Sequence, residues 1–301
     1  MPLWIPITIA AAFLQNLRSA LQRQLAQNLT ATSATYVRFL FGLPVALLYL
    51  GVLLTTFNVE LNAPQPGFYA YTFVGGVAQI IGTVLLVALF AHRNFVVGTT
   101  YSKTETLQTA IFGIFVFGET ITVGAGIGIA VSLVGVIAIS MARTAATPAA
   151  LITSFTERAA LMGIGSGAAY GVAAVCYRAG SLSLNMEGFL LPAAITLAVV
   201  LTIQTVLMTV WLLWKDRASL RATLKNWPAS LAIGVAGSLG SIGWFTAMTL
   251  QNAAYVRALG QIELVFTFAV SWFWFRERAN GKEVAGVLLI IGGLVVLVLG
   301  T

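Results

Sequence analysis

Residues 121–142 read ITVGAGIGIAVSLVGVIAISMA, a run of 22 residues without a single charged side chain. A helix needs about 20 mostly apolar residues to cross the hydrocarbon core of a bilayer. The stretch therefore predicts a membrane-spanning helix. Gly124, Gly128 and Gly135 have no side chain, which favours close packing of this helix against another helix of the same chain.

Nine other stretches have the same apolar character, which brings the predicted total to ten spans. They cover residues 3–26, 32–57, 67–91, 95–118, 158–181, 187–214, 228–250, 253–275 and 281–300. The links between them are short and carry turn or charge signals. The sequence thus predicts an all-α polytopic membrane protein, with no link long enough to hold a soluble domain.

Composition supports this class and excludes others. Hydrophobic residues make up 59% of the 301 positions and charged residues only 8%, whereas soluble domains carry about 25% charged residues. A soluble enzyme, a disordered chain and a nucleic-acid-binding domain are all poor fits. One histidine, one cysteine and no phosphate-binding loop leave neither a metal site nor an ATP site. We expect no cofactor and no enzymatic activity.

Basic residues give an orientation to the predicted spans. The links after the first, third, fifth, seventh and ninth spans hold eleven of the 16 Lys and Arg residues, while the opposite links hold only Arg178. Positive links stay in the cytoplasm. We therefore expect a multi-pass protein of the cell (inner) membrane, with both termini on the extracytoplasmic side.

The two halves of the chain match at an offset of 158 residues. The matched pairs are Gly76 and Gly234, Gly82 and Gly240, Asn94 and Asn252, Glu105 and Glu263, Glu119 and Glu277, Gly128 and Gly286, and Gly135 and Gly293. This predicts two five-helix repeats, residues 1–145 and 156–301. Because five is odd, the second repeat enters the membrane inverted, a plan that recurs in transporters whose substrate site lies near the midplane.

These motifs resemble those of the drug/metabolite transporter superfamily, in its ten-helix form with two EamA-type repeats. The similarity is carried by Gly118-Glu119-Thr120-Ile121-Thr122, by its echo Arg276-Glu277-Arg278, and by the glycine-spaced helices that follow each. The stretch Asn94 to Glu119 is similar to YddG-type exporters of aromatic and other amino acids. The resemblance implies export of small organic metabolites from the cytoplasm without ATP.

The fourth span contains an unusually polar run, Thr99 to Thr109. Its charged and amide side chains are Lys103, Glu105 and Gln108. Tyr101 lies about one helical turn before Glu105. Ionisable residues inside a membrane are costly and mark functional sites by default. A span beginning at Asn94 would place Glu105 about 16 Å deep, near the midplane. Two interpretations remain open here: substrate binding or gating, and ion pairs that only fix helix packing.

The ninth span holds the counterpart, with Glu263 matched to Glu105 and Arg257 matched to Thr99. A site shared by the two spans would suit a zwitterion, because Arg257 or Lys103 attracts a carboxylate and either glutamate attracts an amino group. Salt bridges between neighbouring helices are the alternative interpretation, and a buried pair of that kind need not add stability.

Polar and aromatic residues in other spans complete the candidate substrate-binding set. They are Gln15 in the first span, Gln79 in the third, Tyr170 and Tyr177 in the sixth, and Trp244 in the eighth. Buried amides need partners, and a tryptophan well inside a span lies outside the usual interfacial belt. We predict that these side chains line a cavity, with packing against lipid or other helices as the alternative.

The sequence thus predicts a secondary transporter that exports amino acids, aromatic or other neutral, by alternating access. A nucleoside, sugar or drug carrier of the same superfamily and a passive channel remain alternatives. The expected partners are a small-molecule substrate and the lipid bilayer, with no nucleic acid. A monomer is expected, and a dimer stays open.

Overall fold

The structure is a computed structural model that describes residues 1–25, 31–57, 64–89, 100–142, 156–225, 227–273 and 280–301. Within those ranges the regular secondary structure is helical throughout. The helices are α1 (Trp4–Leu25), α2 (Ala31–Phe57), α3 (Pro66–Leu89), α4 (Glu105–Phe117), α5 (Val123–Ala142), α6 (Arg158–Leu182), α7 (Leu190–Lys215), α8 (Arg217–Lys225), α9 (Trp227–Leu250), α10 (Ala253–Leu259), α11 (Ile262–Phe273) and α12 (Gly281–Leu299).

The chain forms two compact units, and each draws on both halves of the sequence. The first unit contains Met1–Ile80 and Ala173–Gln251, and the second contains Ile81–Val172 and Asn252–Thr301. The predicted repeats, 1–145 and 156–301, therefore do not coincide with the compact units. As boundaries in sequence, the repeats stay a prediction.

Seven of the described helices are long and apolar enough to cross a membrane: α2, α3, α5, α6, α7, α9 and α12. They match seven of the ten predicted spans closely at their ends. The first predicted span corresponds to α1, which contains Gln15, Asn16 and Arg18. The fourth and ninth correspond to interrupted segments. The all-helical membrane class is confirmed, while the count of ten spans stays a prediction.

The prediction of continuous helices over 95–118 and 253–275 is wrong. In the first segment residues 100–102 are helical, Lys103 and Thr104 form a turn, and α4 begins at Glu105. In the second, α10 ends at Leu259, a turn covers Gly260 and Gln261, and α11 begins at Ile262. The polar residues of both segments are visible in the sequence, but a hydropathy profile does not show where the backbone hydrogen bonds of a helix change from i→i−4 to i→i−3.

The predicted link between the seventh and eighth spans contains the helix α8. Asp216 precedes it and accepts a hydrogen bond from the backbone N–H of Ser219 at 3.0 Å, a normal N-cap. Hydrogen bonds from Ser219 hold the pKa of Asp216 below its usual value. Ser33 of α2 donates to the Ser219 carbonyl at 3.2 Å, which fixes α8 against α2 within the first unit.

In the second unit, glycines let α5 and α12 pack with their backbones in close contact. A Cβ on Gly128 would lie 2.5 Å from the Leu297 nitrogen and 2.7 Å from the Gly293 carbonyl oxygen. A Cβ on Gly135 would lie 2.7 Å from the Gly286 carbonyl oxygen. The predicted close helix contact is therefore observed within the chain.

Gly118 ends α4 in the left-handed conformation, with φ of 64°. Its N–H donates to Ile114 and the next N–H, of Glu119, donates to Gly113, which is the usual helix-terminating pattern for glycine. The Gly118-Glu119 motif thus turns the chain between α4 and α5. Predictions concerning residues 90–99 and 274–279, including Asn94 and Arg276 to Arg278, lie outside the described residues.

Candidate functional site

The two helix interruptions of the second unit occupy matched positions in the sequence. The turn residue Lys103 and the turn residue Gln261 are separated by the repeat offset of 158. At both turns the backbone bonds tighten to i→i−3, from Lys103 N to Thr100 O and from Gln261 N to Ala258 O. Tight turns of this kind inside a helix often mark a hinge.

Two ion pairs join the interrupted segments. Lys103 Nζ lies 2.6 Å from Glu263 Oε1, and the Arg257 guanidinium pairs with the Glu105 carboxylate. The side chains are 13–29% exposed. Each glutamate therefore sits in the first turn of the helix that follows its interruption and is bound by a cation of the other segment.

Hydrogen bonds between neutral side chains support the ion pairs. Gln261 Nε2 donates to Thr106 Oγ1 at 3.0 Å and ties the second turn to α4. Gln108 Nε2 donates to Thr104 Oγ1 at 2.8 Å, and the Thr104 hydroxyl donates to the Tyr101 carbonyl at 2.6 Å. These bonds hold the backbone on both sides of Lys103.

Glycines of α6 provide the surface on which the first interruption rests. A Cβ on Gly167 would lie 3.0 Å from the Ser102 carbonyl oxygen and 3.2 Å from the Glu105 nitrogen. Tyr170, on the same helix, donates to Thr83 Oγ1 at 2.9 Å. Of the predicted site residues, Tyr170 therefore has a structural partner in α3.

A second polar cluster lies in the first unit. Gln79 Oε1 accepts from Gln204 Nε2 at 2.7 Å and lies 3.0 Å from the Tyr177 hydroxyl. The Tyr177 ring stacks on Phe245, with ring centroids 4.4 Å apart. Sequence reasoning missed Gln204, which is fully buried. A lone glutamine in the apolar span 187–214 is a signal that could have identified it.

The remaining predicted site residues are placed separately. Trp244 is buried, with 7% of its surface exposed. Gln15 lies on α1 and is partly buried, with its backbone facing Gly240 of α9. Tyr101 is partly buried in the helical turn before Lys103. The structure thus brings together Lys103, Glu105, Gln108, Arg257 and Glu263 in one unit, and Gln79 and Tyr177 in the other.

The charges of the second-unit site sum to zero, because two cations face two carboxylates. Breaking an ion pair in a poorly hydrated setting is costly, because it leaves a buried charge without a counterion. A ligand that carries both a cation and an anion can replace both protein partners without leaving a charge uncompensated. The charge-paired cluster is therefore a candidate site for a ligand of this kind.

Long apolar helices and a charge-paired, interrupted helix pair define a multi-pass membrane protein of the transporter class. The profile of the EamA-like transporter family matches residues 2–141 and 157–299. The chain belongs to this family, and it is a transporter rather than an enzyme.

Two curated relatives are each named "Pseudopaline exporter CntI", from Pseudomonas aeruginosa strains UCBPP-PA14 and PAO1. Each is 32% identical over 85 residues, which is 28% of this chain and 30% of the relative. The match thus spans under a third of those relatives. One solved structure, described as "Crystal structure of protein", matches with a TM-score of 0.72 at 15% identity, over 98% of this chain and 96% of that one. At that identity it shows the fold alone.

Proposed function

We propose that the protein is a secondary transporter that exports small zwitterionic metabolites, amino acids among them, by alternating access. The observation that carries the proposal is the pair of interrupted segments with crossed ion pairs, Lys103 with Glu263 and Arg257 with Glu105. Interrupted helices at matched positions are the usual site-forming elements of secondary transporters.

The depth of the site supports substrate binding inside the membrane. The predicted span 253–275 covers α10 and α11, and Glu263 lies ten residues after its start and twelve before its end. At 1.5 Å per residue that is about 15–18 Å from the two ends. A segment of this length matches the hydrocarbon core, so its centre falls near the midplane.

Crossed pairing supports a zwitterionic cargo. The carboxylate of an amino acid would take Arg257 from Glu105, and its ammonium would take Glu263 from Lys103. Both displaced protein groups, Glu105 and Lys103, have opposite charges, so the exchange leaves the net charge of the site unchanged. The resemblance to amino acid exporters over Asn94 to Glu119 and the naming of the curated relatives as exporters point in the same direction.

Packing within the second unit supports the inverted duplication on which alternating access depends. Gly128 contacts Gly293, and Gly135 contacts Gly286. The offset of 158 converts Gly128 into Gly286 and Gly293 into Gly135. Each contact is therefore the image of the other, as expected when a two-fold pseudo-axis runs between α5 and α12.

The same relation appears in the packing of α3 and α9. Gly82 packs on Ser166 and Tyr170 of α6, while its match Gly240 packs on Ala11 and Gln15 of α1. In sequence order α1 opens the first half and α6 opens the second. Equivalent helices of the two repeats thus present their glycines to equivalent partners, which supports residues 1–145 and 156–301 as the repeating units.

The test is counterflow in proteoliposomes containing the purified full chain. Vesicles preloaded with unlabelled phenylalanine and leucine are expected to accumulate the labelled amino acids transiently and saturably. E105Q and E263Q should each lower kcat/KM about tenfold or more, the effect of losing a charge-assisted hydrogen bond. E157Q makes the same chemical change at an exposed position before α6 and should leave transport unchanged.

Three outcomes would contradict the proposal. Continuous conductance in planar bilayers without counterflow would establish a passive channel. Saturable counterflow of nucleosides or sugars, with no amino acid transported, would keep the transporter class and reject the zwitterionic cargo. Equal transport by wild type, E105Q and E263Q would remove the ion pairs from the mechanism.

A further inference from the structure

The short helix α8 directly joins two helices that are long and apolar enough to cross the membrane. One residue, Asp216, separates it from α7, and one residue separates it from α9. At 1.5 Å per residue the nine residues of α8 are about 14 Å long. The connections of α8 therefore keep it close to the level at which α7 and α9 leave the hydrocarbon core.

One face of α8 is occupied by its contact with the rest of the first unit. Ser219 and Thr223, one turn apart, are buried, and Leu220 packs against the apolar core that includes Tyr36 of α2. The hydrogen bond from Ser33 to the Ser219 carbonyl belongs to the same contact. The rotation of α8 about its own axis is thus fixed, and so is the face that points away from the protein.

The opposite face of α8 carries a row of cations, which we call the cationic stripe: Arg217, Arg221 and Lys225. These residues follow one another at intervals of four and are all exposed, as expected for one side of a helix. In the part of the chain that the structure describes, no carboxylate pairs with any of the three. Arg217 Nε donates to the neutral carbonyl of Leu213 at 2.8 Å, which leaves its charge in place.

The segment around the cationic stripe has a net charge of +3, from four cations less one acid in residues 215–225. The fourth cation is Lys215, and the acid is Asp216. The Asp216 carboxylate is already engaged as the N-cap of α8, where it accepts from the backbone N–H of Ser219. Four or more cations next to a membrane span, or on a helix at its surface, attract the headgroups of anionic lipids.

Exposed tryptophans flank the cationic stripe on both sides. Trp214, just before α8, is 77% exposed, and Trp227, at the start of α9, is 57% exposed. Tryptophans are enriched at the level of the lipid headgroups, where one part of the ring is in contact with apolar chains and the N–H with polar groups. Their presence at both ends of α8 favours a lipid over a soluble acidic partner.

We propose that the cationic stripe of α8 binds the headgroups of anionic phospholipids and so holds the connection between α7 and α9 at the membrane surface. Guanidinium and ammonium groups form charge-assisted hydrogen bonds with phosphate oxygens, and each cation close to an anionic leaflet adds to the attraction. This surface involves neither the ion pairs of the second unit nor the transported cargo. Each of the two proposals can therefore fail while the other stands.

The test measures the unfolding temperature of the purified full chain in uncharged detergent, titrated with short-chain phosphatidylglycerol or with zwitterionic phosphatidylcholine. Phosphatidylglycerol should stabilise the wild type increasingly as its concentration exceeds its dissociation constant, and added sodium chloride should weaken the effect by screening. The double variant R221Q/K225Q should bind phosphatidylglycerol about tenfold more weakly, or worse, since each cation contributes roughly fivefold. Glutamine has a helix propensity close to that of arginine and lysine, so this variant should fold.

The matched control is R158Q/K282Q, which removes the same two charges from exposed positions at the starts of α6 and α12. Those positions are predicted to lie on the same side of the membrane as α8, and this variant should respond to phosphatidylglycerol as the wild type does. An equal loss in both double variants, or equal stabilisation by the two lipids, overturns the proposal. Stabilisation by a polyglutamate peptide but not by phosphatidylglycerol also overturns it, because the partner would then be an acidic protein.

Discussion

Glu105 and Glu263 occupy matched positions, yet each is bound by a cation that has no cationic counterpart in the other repeat. Lys103 matches Gln261, and Arg257 matches Thr99. Each interrupted segment thus contributes one acid and one base, placed at different heights. Because the pairing crosses from one segment to the other, movement of either segment must break both pairs or move both together.

A double-mutant cycle on Lys103 and Glu263 measures this coupling. K103Q and E263Q should each destabilise the protein, because each leaves a partly buried charge without its partner, while the double variant should recover part of the loss. We expect a coupling energy of about 1–3 kcal/mol, the range for residues in one network. The measurement is reversible unfolding in detergent.

The control for this cycle is K225Q paired with E263Q. Lys225 is exposed at the end of α8, in the other compact unit, so those two effects should add. Additive effects of K103Q and E263Q would mean that the short Lys103–Glu263 contact contributes nothing measurable, as is common for surface ion pairs.

At the scale of elements, the second unit contains two kinds of helix contact, one between backbones and one between charged side chains. Between α5 and α12 the glycines bring backbones together over several turns, which favours a rigid pair. At the two interruptions the backbone ladder changes to i→i−3 bonds and the contacts are made by long charged side chains. A rigid helix pair next to turns that can adjust allows one part of a helix bundle to bend while another part keeps its shape.

The rigid pair is tested by adding one methyl group. G128A should destabilise the protein by about 1–3 kcal/mol, because the new Cβ would meet the backbone of Gly293 and Leu297 and neither atom can move aside alone. G292A is the matched control on α12, where nothing lies within 4 Å, and it should be neutral or slightly stabilising by helix propensity. Equal unfolding temperatures for G128A and G292A would contradict the close contact.

The interruption is tested from its supporting helix. G167A would press a Cβ against the Ser102 carbonyl and the Glu105 nitrogen, so we expect amino acid counterflow to fall several-fold as the turn at Lys103 shifts. G165A, two residues away on α6, meets only the flexible end of Leu85 at 3.4 Å and should transport normally. Transport by G167A at the wild-type rate would show that the position of this turn does not limit transport.

Sequence patterns predicted these elements unevenly, for physical reasons. Long apolar runs located seven spans because burial in lipid requires a continuous apolar surface, and paired glutamates located the second-unit site. The first interruption was missed because neither Lys103 nor Thr104 is a proline or a glycine, and the second because its single glycine, Gly260, is a residue that helices tolerate. Gln204 was missed because one amide in an apolar span changes hydropathy very little. Such features depend on tertiary partners, which a single sequence does not display.

At the scale of the whole molecule, the distribution of charge predicts the orientation in the membrane. Basic residues gather on exposed α8 and its flanks, where Lys215, Arg217, Arg221 and Lys225 surround a single acid, Asp216. Trp214 beside them is 77% exposed, and Lys215 Nζ lies 4.1 Å from its ring centroid. An exposed tryptophan next to lysine is typical of the membrane–water interface, so α8 is expected at the cytoplasmic surface.

Cysteine accessibility tests this orientation directly. Cys176 is the one cysteine of the chain and is buried, so C176S supplies a cysteine-free background. In that background T301C, at the exposed carboxyl terminus, should react with a membrane-impermeant maleimide in intact cells. R221C on α8 should react only after the membrane is opened, because the positive-inside rule places its link in the cytoplasm.

The two reporter sites control each other, since their labelling must be opposite if a single orientation exists. Labelling of R221C but not T301C in intact cells would mean that the molecule has the opposite orientation. Labelling of both in intact cells would mean that the chain inserts in two orientations. In that case the excess of basic residues in the links after odd-numbered spans is too small to fix the topology, and the direction of transport would have to be argued from the membrane potential and the cargo gradient instead.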